Sequence, residues 1–365
     1  MDDDDATRTR RATIEDVAAA AEVSVATVSR ALRDLPNVAP STRERVRQAA
    51  VSLDYAAHPA AARLATGRSR AIGVLVPFVN SWYCAEVMAG VEAICAEAGY
   101  DTIVIAVGTG ADGRRRIDGS LRLHRKVDAI VSVDLALDPD EVAELHASGL
   151  GIASIGTDHA GHPSTGVDDR AVGRLATEHL LRLGHRRIGI IGDRTNSVYA
   201  FVVPEQRRQG HEDALRAAGI EPDPELFADG SFTIEGGADG FDQLMRSHEP
   251  PTAIFALDDA MASGALRRAR ELGIAIPDEV SIIGVDDQPI ADVLGLTTVR
   301  QDVAEHGARA ARVLIDQLAG LTVDAGRVDA PVTLVERRTT AQPPAAARSE
   351  SSTPLAPKRN VSGAR

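Results

Sequence analysis

The sequence predicts an N-terminal all-α head joined to a larger α/β body of two lobes, each a doubly wound parallel sheet. Three observations carry that reading. Helix caps and helical spacing fill residues 13–55. From residue 71 onward, apolar runs alternate with amphipathic helices, as parallel strands joined by crossover helices do. The alternation lasts for about 270 residues, long for one sheet, so two lobes are expected.

The head reads as three short helices. Thr13 with Asp16 resembles a capping box, followed by Ile14, Val17, Ala18 and Ala21 at helical spacing. Glu22-Val23 is a short break, and Ser24 suits the N-cap of a second helix, Val25 to Leu32. Ser41 with Glu44 reads as another capping box, opening a third helix with Val46, Ala49, Ala50 and Leu53 on one face. His58 to Ala65 is an Ala-rich run with Pro59 in its first turn, where proline is tolerated. Gly67-Arg68-Ser69 reads as a linker.

In the body, strands are expected at Ile72–Val76, Thr102–Val107, Ala129–Val133, Gly151–Ile155, Arg187–Ile191, Ala253–Leu257 and Ser281–Val285. Helices are expected at Ala85–Ala98, Arg170–Leu183, Gln206–Ala218, Glu235–Met245, Asp259–Leu272 and Val303–Leu318. Gly99, Gly184, Gly219 and Gly273 follow helices, where a left-handed residue ends the turn. The Pro-, Ala- and Ser-rich stretch from Ala341 reads as a disordered tail.

Composition narrows the class. The net charge of -13 argues at first against nucleic acid. It is unevenly spread: residues 6–70 sum to +5 and residues 71–340 to -17. A basic head on an acidic body suggests a nucleic-acid module. No apolar run approaches the roughly 18 residues of a membrane span. The start, Met-Asp-Asp-Asp-Asp, is the opposite of a secretory n-region, and a cytoplasmic location is expected. Cys84 and Cys95 share one expected helix about 16 Å apart, too far for a disulfide.

The head has the parts of a helix-turn-helix, whose second helix enters the major groove. With Val17, Ala21, Val23, Val28 and Leu32 inward, Val25, Ala26, Ser29 and Arg30 face out. Arg30 suits a bidentate contact to guanine. Ser24, Thr27, Asn37 and Thr42 are short polar groups suited to phosphates.

The string Ala12 to Leu32 closely resembles the headpiece of the lactose-repressor (LacI/GalR) family. So do Val38 to Val46 and Leu53-Asp-Tyr55. The resemblance runs from about residue 12 to residue 340. It implies a disordered arm over 1–11 and a helix-turn-helix DNA-binding domain over 12–57. A hinge helix and linker would follow over 58–70, then a two-lobed, periplasmic-binding-protein-like domain over 71–340 and a tail over 341–365. Val25, Ala26 and Arg30 correspond to base-reading positions, and Leu64 to the leucine that wedges into the minor groove. Thr13, Ser24, Thr27, Ser29, Asn37 and Thr42 complete the expected DNA-contacting set. His58 stands where the family usually has asparagine.

Two such lobes bind ligands between them, at the carboxyl ends of the strands. Asn80, Trp82, Tyr83, Asp168, Asp258, Asp259, Asp286 and Asp287 follow apolar runs, and Arg207 lies at a helix start. The resemblance places an effector loop at Pro77 to Tyr83, an effector arginine at Arg207 and a stacking aromatic at Phe232. Asp258 stands where the family has asparagine. The expected effector set is therefore Asn80, Trp82, Tyr83, Asp168, Arg207, Phe232, Asp258 and Asp286. The expected partners are double-stranded operator DNA, a sugar or sugar-like effector and a second copy of the chain, with no membrane, cofactor or metal.

Rival readings are weaker. Gly108-Thr-Gly-Ala-Asp-Gly113, with Asp134 further on, fits a dinucleotide fingerprint for an NAD-dependent oxidoreductase. Gly113 and Gly119 weaken the helix that fingerprint needs. A glycosidase needs two carboxylates flanking one bond, whereas the Asp-Asp pairs here are adjacent in sequence. His159 and His162 beside Asp158 lack the further ligands of a zinc set. A stand-alone sugar-binding protein would not carry the head.

Overall fold

The computed structural model describes residues 12–55, 68–107, 123–158, 161–193 and 202–345. The chain divides into two units between Ser69 and Arg70. The acidic arm, the expected hinge helix with Leu64, the fingerprint at 108–113 and His159 lie outside the described residues.

In the first unit, α1 (Ile14–Ala20), α2 (Val25–Leu32) and α3 (Pro40–Ser52) share one core. Val17, Val28 and Val46, one from each helix, are fully buried. Each such valine contributes roughly 1.5–3 kcal/mol. The Thr13 capping box forms: Asp16 N donates to Thr13 Oγ1, and Thr13 N donates to Asp16 Oδ2 at 2.8 Å. Ser24 Oγ caps α2 by accepting from Thr27 N. The third helix departs from expectation. It starts at Pro40 with Ala39 as cap, and Ser41 lies inside the first turn. Proline needs no partner for an N–H it lacks, and its fixed φ starts the helix without a polar cap.

The second unit holds two six-stranded sheets. The first sheet contains β1 (Ala71–Val76), β2 (Asp101–Ala106), β3 (Ala129–Val133), β4 (Gly151–Ile155), β5 (Ser164–Gly166) and β11 (Arg327–Asp329). Its spatial order is β2-β1-β3-β4-β5-β11, parallel throughout. The second sheet contains β6 (Ile188–Gly192), β7 (Phe227–Asp229), β8 (Ala253–Ala256), β9 (Ser281–Asp286), β10 (Thr297–Arg300) and β12 (Thr333–Val335). Its order is β7-β6-β8-β9-β10-β12, with only β12 antiparallel. Both orders reverse beside the first strand, the switch point where open α/β sheets bind ligands.

The helices are α4 (Trp82–Ala98), α5 (Pro139–Ala147), α6 (Asp169–Leu183), α7 (Val203–Ala217), α8 (Ile234–Met245), α9 (Asp259–Leu272), α10 (Pro289–Leu294) and α11 (Val303–Leu318). In the first lobe, Val87 and Val91 of α4 and Leu314 of α11 pack on Ile72, Val74 and Val131. The opposite face holds Leu75, Ile130 and Ile152 with Leu145 of α5. In the second lobe, Leu180, Phe241 and Phe255 anchor a core around Ile188 and Ile191. Three chain segments cross between lobes. They run from β5 to α6, from β10 to α11 and from β11 to β12.

α6 and α7 meet through glycine. A Cβ on Gly173 would overlap the carbonyl oxygen of Arg207, and one on Gly210 would overlap that of Arg170. Gly90 and Gly307 do the same for α4 and α11, and Gly237 and Gly264 for α8 and α9. Gly99, Gly184 and Gly273 end α4, α6 and α9 at positive φ, as expected.

Candidate functional site

The first unit presents α2. Val28 and Ala31 are buried, while Val25, Ala26 and Arg30 are exposed on the outer side. Neighbouring arginines are engaged within the unit. Arg33 Nε donates to Ser29 O, Arg43 to Leu35 O, Arg45 Nε to Ala21 O and Arg47 to Asp34. Among the described arginines of the three helices, Arg30 alone has no hydrogen bond or ion pair. Ser24 and Asn37 are exposed, and Thr13, Thr27, Ser29 and Thr42 half-buried. Asn37 sits at φ 68°, a conformation asparagine tolerates.

In the second unit, polar groups gather at the strand ends of both sheets. Arg207, in the second turn of α7, is 4% exposed. Its Nε donates to Asp169 Oδ1 at 2.8 Å, its Nη1 donates to Leu257 O, and Asp286 Oδ1 lies 4.0 Å away. Burial opposes the Arg207 charge, but Asp169 and Asp286 outweigh it and push the pKa up. Asp286 ends β9 at φ 108° and accepts from Gln301 Nε2 at 2.6 Å. Asp259 is fully buried, accepting from Thr298 Oγ1 at 2.7 Å and from Gln288 N at 2.8 Å. Asp258 caps α9 by accepting from Met261 N.

The first lobe faces this cluster with Tyr83 and Asp134. Burial, then the charges of Asp134, Asp169 and Asp286, push the Tyr83 phenol well up. Asp134 follows β3 at φ 49° and packs against Gly156. Among the described residues, its Oδ1 is buried without a hydrogen-bond partner. Burial, then Asp169, raise the Asp134 carboxyl to about 7. Burial, then Asp286, raise Asp258 to about 7 and Asp259 to about 8. Asp169 and Asp286 flank the buried arginine, with the raised carboxyls of Asp134 and Asp258 in its field, a setting rich in oxygens that can hydrogen-bond to hydroxyls. Asp169, Asp258 and Asp259 are already committed to structural bonds, which suits binding better than catalysis.

The structure brings together Tyr83, Arg207, Asp258 and Asp286 from the expected set. It adds Asp134 and Asp169, which the sequence reading did not place here. Asp168 caps α6 through Ala171 N, and the next residue, Asp169, makes the arginine pair. Trp82 and Tyr83 open α4 rather than ending a loop, and both pack on the first-lobe core. Asn80 is exposed in the preceding turn. Phe232 sits at φ 52° between β7 and α8 and packs on the second-lobe core. Arg327 was also missed: it donates to Val167 O at 2.8 Å and to Asp158 at 2.9 Å, beside the first crossing. The signal for Asp134 was present, an acid directly after the apolar run Ala129–Val133.

Among the described residues, no helix is long and apolar enough to cross a membrane. No group of three or more His, Cys, Asp or Glu side chains among them could hold a metal ion.

Comparison with known proteins agrees with both units. Residues 177–340 match a periplasmic binding protein-like domain. The HTH-type transcriptional repressor CytR of Escherichia coli is 33% identical over 331 residues, which cover 86% of this chain and 92% of that protein. The solved structure of the lac repressor dimer bound to operator and the anti-inducer ONPF aligns at a TM-score of 0.79 with 26% identity, covering 91% of this chain and 100% of that one. The complex of the transcriptional regulator CelR with cellobiose aligns at 0.66 with 28% identity, covering 90% of this chain and 100% of that one. Residues 13–58, the three helices that present Arg30, match the bacterial regulatory proteins of the lacI family. With identity sustained through head and body, the chain belongs to the lacI family of bacterial regulatory proteins.

Proposed function

We propose that this regulator represses genes for use of a sugar or similar small metabolite, binding a pseudo-palindromic operator as a homodimer and released or tightened by an effector. It is a transcription regulator, not an enzyme, and it acts in the cytoplasm. The observation that carries the reading is α2, with Val28 and Ala31 buried behind it and an unpaired Arg30 in front. Arg30 reads a guanine edge, Val25 and Ala26 meet thymine methyls, and the short polar residues Thr13, Ser24, Thr27, Ser29, Asn37 and Thr42 hold phosphates. Leu64 wedges into the minor groove from the hinge segment.

The effector lies between the lobes, touching Tyr83, Asp134, Arg207 and Asp286, with Asn80, Trp82, Asp168, Phe232 and Asp258 around it. A ligand with several hydroxyls suits this setting, because Asp134 Oδ1 lacks a donor and Arg207 is held ready. The effector acts by its different affinity for two lobe arrangements, and operator DNA must change its affinity in return. An operator-shift titration against a panel of sugars and nucleosides tests this. One class of neutral polyol is expected to shift operator affinity, and an effector whose affinity ignores operator would refute the coupling.

A further inference from the structure

We propose a second small-molecule site beneath α7, for an apolar ring compound that carries a hydroxyl or N–H donor and no negative charge. It lies within the second lobe, apart from the interlobe cluster. α7 does not close fully over β6 and β7, leaving a cavity of about 630 Å³. That size is in the range of ligand pockets, roughly 300–1,000 Å³. Its floor is apolar: Ile188 and Ile190 project from the same face of β6, and Phe227 joins them from β7. Leu215 of α7 lies opposite.

One polar group inside is directional. His211 lines the cavity and is 4% exposed. Thr177 Oγ1 gives its one hydrogen to Gly173 O at 2.8 Å. The same oxygen lies 2.9 Å from His211 Nδ1, so it must accept there and Nδ1 carries the proton. Burial, then the charge of Arg208, push the imidazole pKa down to about 4, so the ring is neutral. Nε2 is left with a lone pair and, among the described residues, no partner. On this cavity-lining ring a ligand hydroxyl or N–H can replace solvent as the donor to Nε2.

The rim sets the charge. Glu205, Glu212, Glu221 and Asp223 outnumber Arg208 and Arg216. Both arginines are already bound, Arg208 to Glu205 and Glu212, and Arg216 to Glu212 at 2.8 Å. The rim keeps a net negative charge, which disfavours an anion, whereas a neutral ring meets only the floor and His211.

The test uses fluorine NMR on the full chain with 4-fluorophenol and 4-fluorobenzoate as probes. Saturable broadening of the phenol is expected, with the benzoate about tenfold weaker or worse. Leu215→Trp, which fills the cavity, should abolish phenol binding, and His211→Phe should weaken it about fivefold. Asp286→Asn, in the interlobe cluster, should leave it unchanged. In wild-type protein labelled with nitrogen-15 histidine, the unprotonated Nε2 resonance of His211 should move on adding phenol, a readout that does not depend on any variant folding. Unsaturable broadening, equal binding of benzoate, loss of binding in Asp286→Asn or a still Nε2 resonance would overturn the proposal.

Discussion

Arg207 Nε lies 2.8 Å from Asp169 Oδ1, with the two side chains only 5% and 7% exposed. Removing one member of such a pair leaves a sealed charge unanswered, at a cost of about 3–5 kcal/mol. Arg207→Met is therefore expected to lower unfolding free energy by about that much in urea titrations. Asp169→Asn should cost less, because Arg207 keeps Leu257 O and has Asp286 at 4.0 Å. Equal losses for the two variants would contradict this asymmetry.

The raised carboxyls make stability fall with pH. Burial first, then Asp169, lift Asp134 from 3.8 to about 7; burial, then Asp286, lift Asp259 to about 8. Each holds a proton in the folded state that the unfolded chain has released. Their stabilising contribution is complete below the unfolded value and is lost as pH rises through the folded one. The slope is at most about 1.4 kcal/mol per pH unit for each group. Thermal melts should fall from about pH 5 to about pH 8, and Asp134→Asn should flatten that decline. A variant with the wild-type slope would rule out Asp134 as a source.

Arg30→Ala should leave the melting of the head unchanged, since Arg30 has no partner among the described residues. Operator affinity should drop by about 1–3 kcal/mol, with relaxed preference at one base pair. Selection from a random duplex pool, followed by anisotropy titration, reads both effects. Arg45→Ala makes the contrast. Its Nε holds Ala21 O, so it should lower head stability as well.

Gly210→Ala drives a methyl into the carbonyl of Arg170. The α6–α7 contact must open, at a cost of about 1–3 kcal/mol. Because Arg207 and Asp169 sit on those two helices, their ion pair should loosen with it. Combining Gly210→Ala with Arg207→Met should then cost less than the sum of the single changes in urea unfolding. Strict additivity would show that the helix contact does not set the pair.

The long central strands were legible because burial on both faces leaves unbroken apolar runs, as at Ile72–Val76 and Ala253–Ala256. β5 and β10 were not, because Ser164-Thr165 and Thr297-Thr298 read as polar. Their burial is tolerable partly because Ser164 Oγ donates to Asp158 and Thr298 Oγ1 to Asp259, pairings no local pattern reveals. The cluster was legible in part: Arg207 and Asp286 stood out in the sequence, whereas Asp134 did not. Strand-end position singled out Asp168, but an N-cap needs the first residue, which leaves Asp169 in the helix to face Arg207. Ala341, placed at the start of the tail, is held by Ser281 and His185, again through contacts distant in sequence.

The glycine-locked couples α4–α11, α6–α7 and α8–α9 have no slack along their lines of contact, since backbone rests on backbone. Sliding of one helix past its mate is thereby blocked, and each half of the body behaves as a solid. Two such halves joined by three chain segments favour a change of tilt over a slide within either half. Under the effector site proposed between them, occupancy would be written as an angle rather than as a local shift of a side chain.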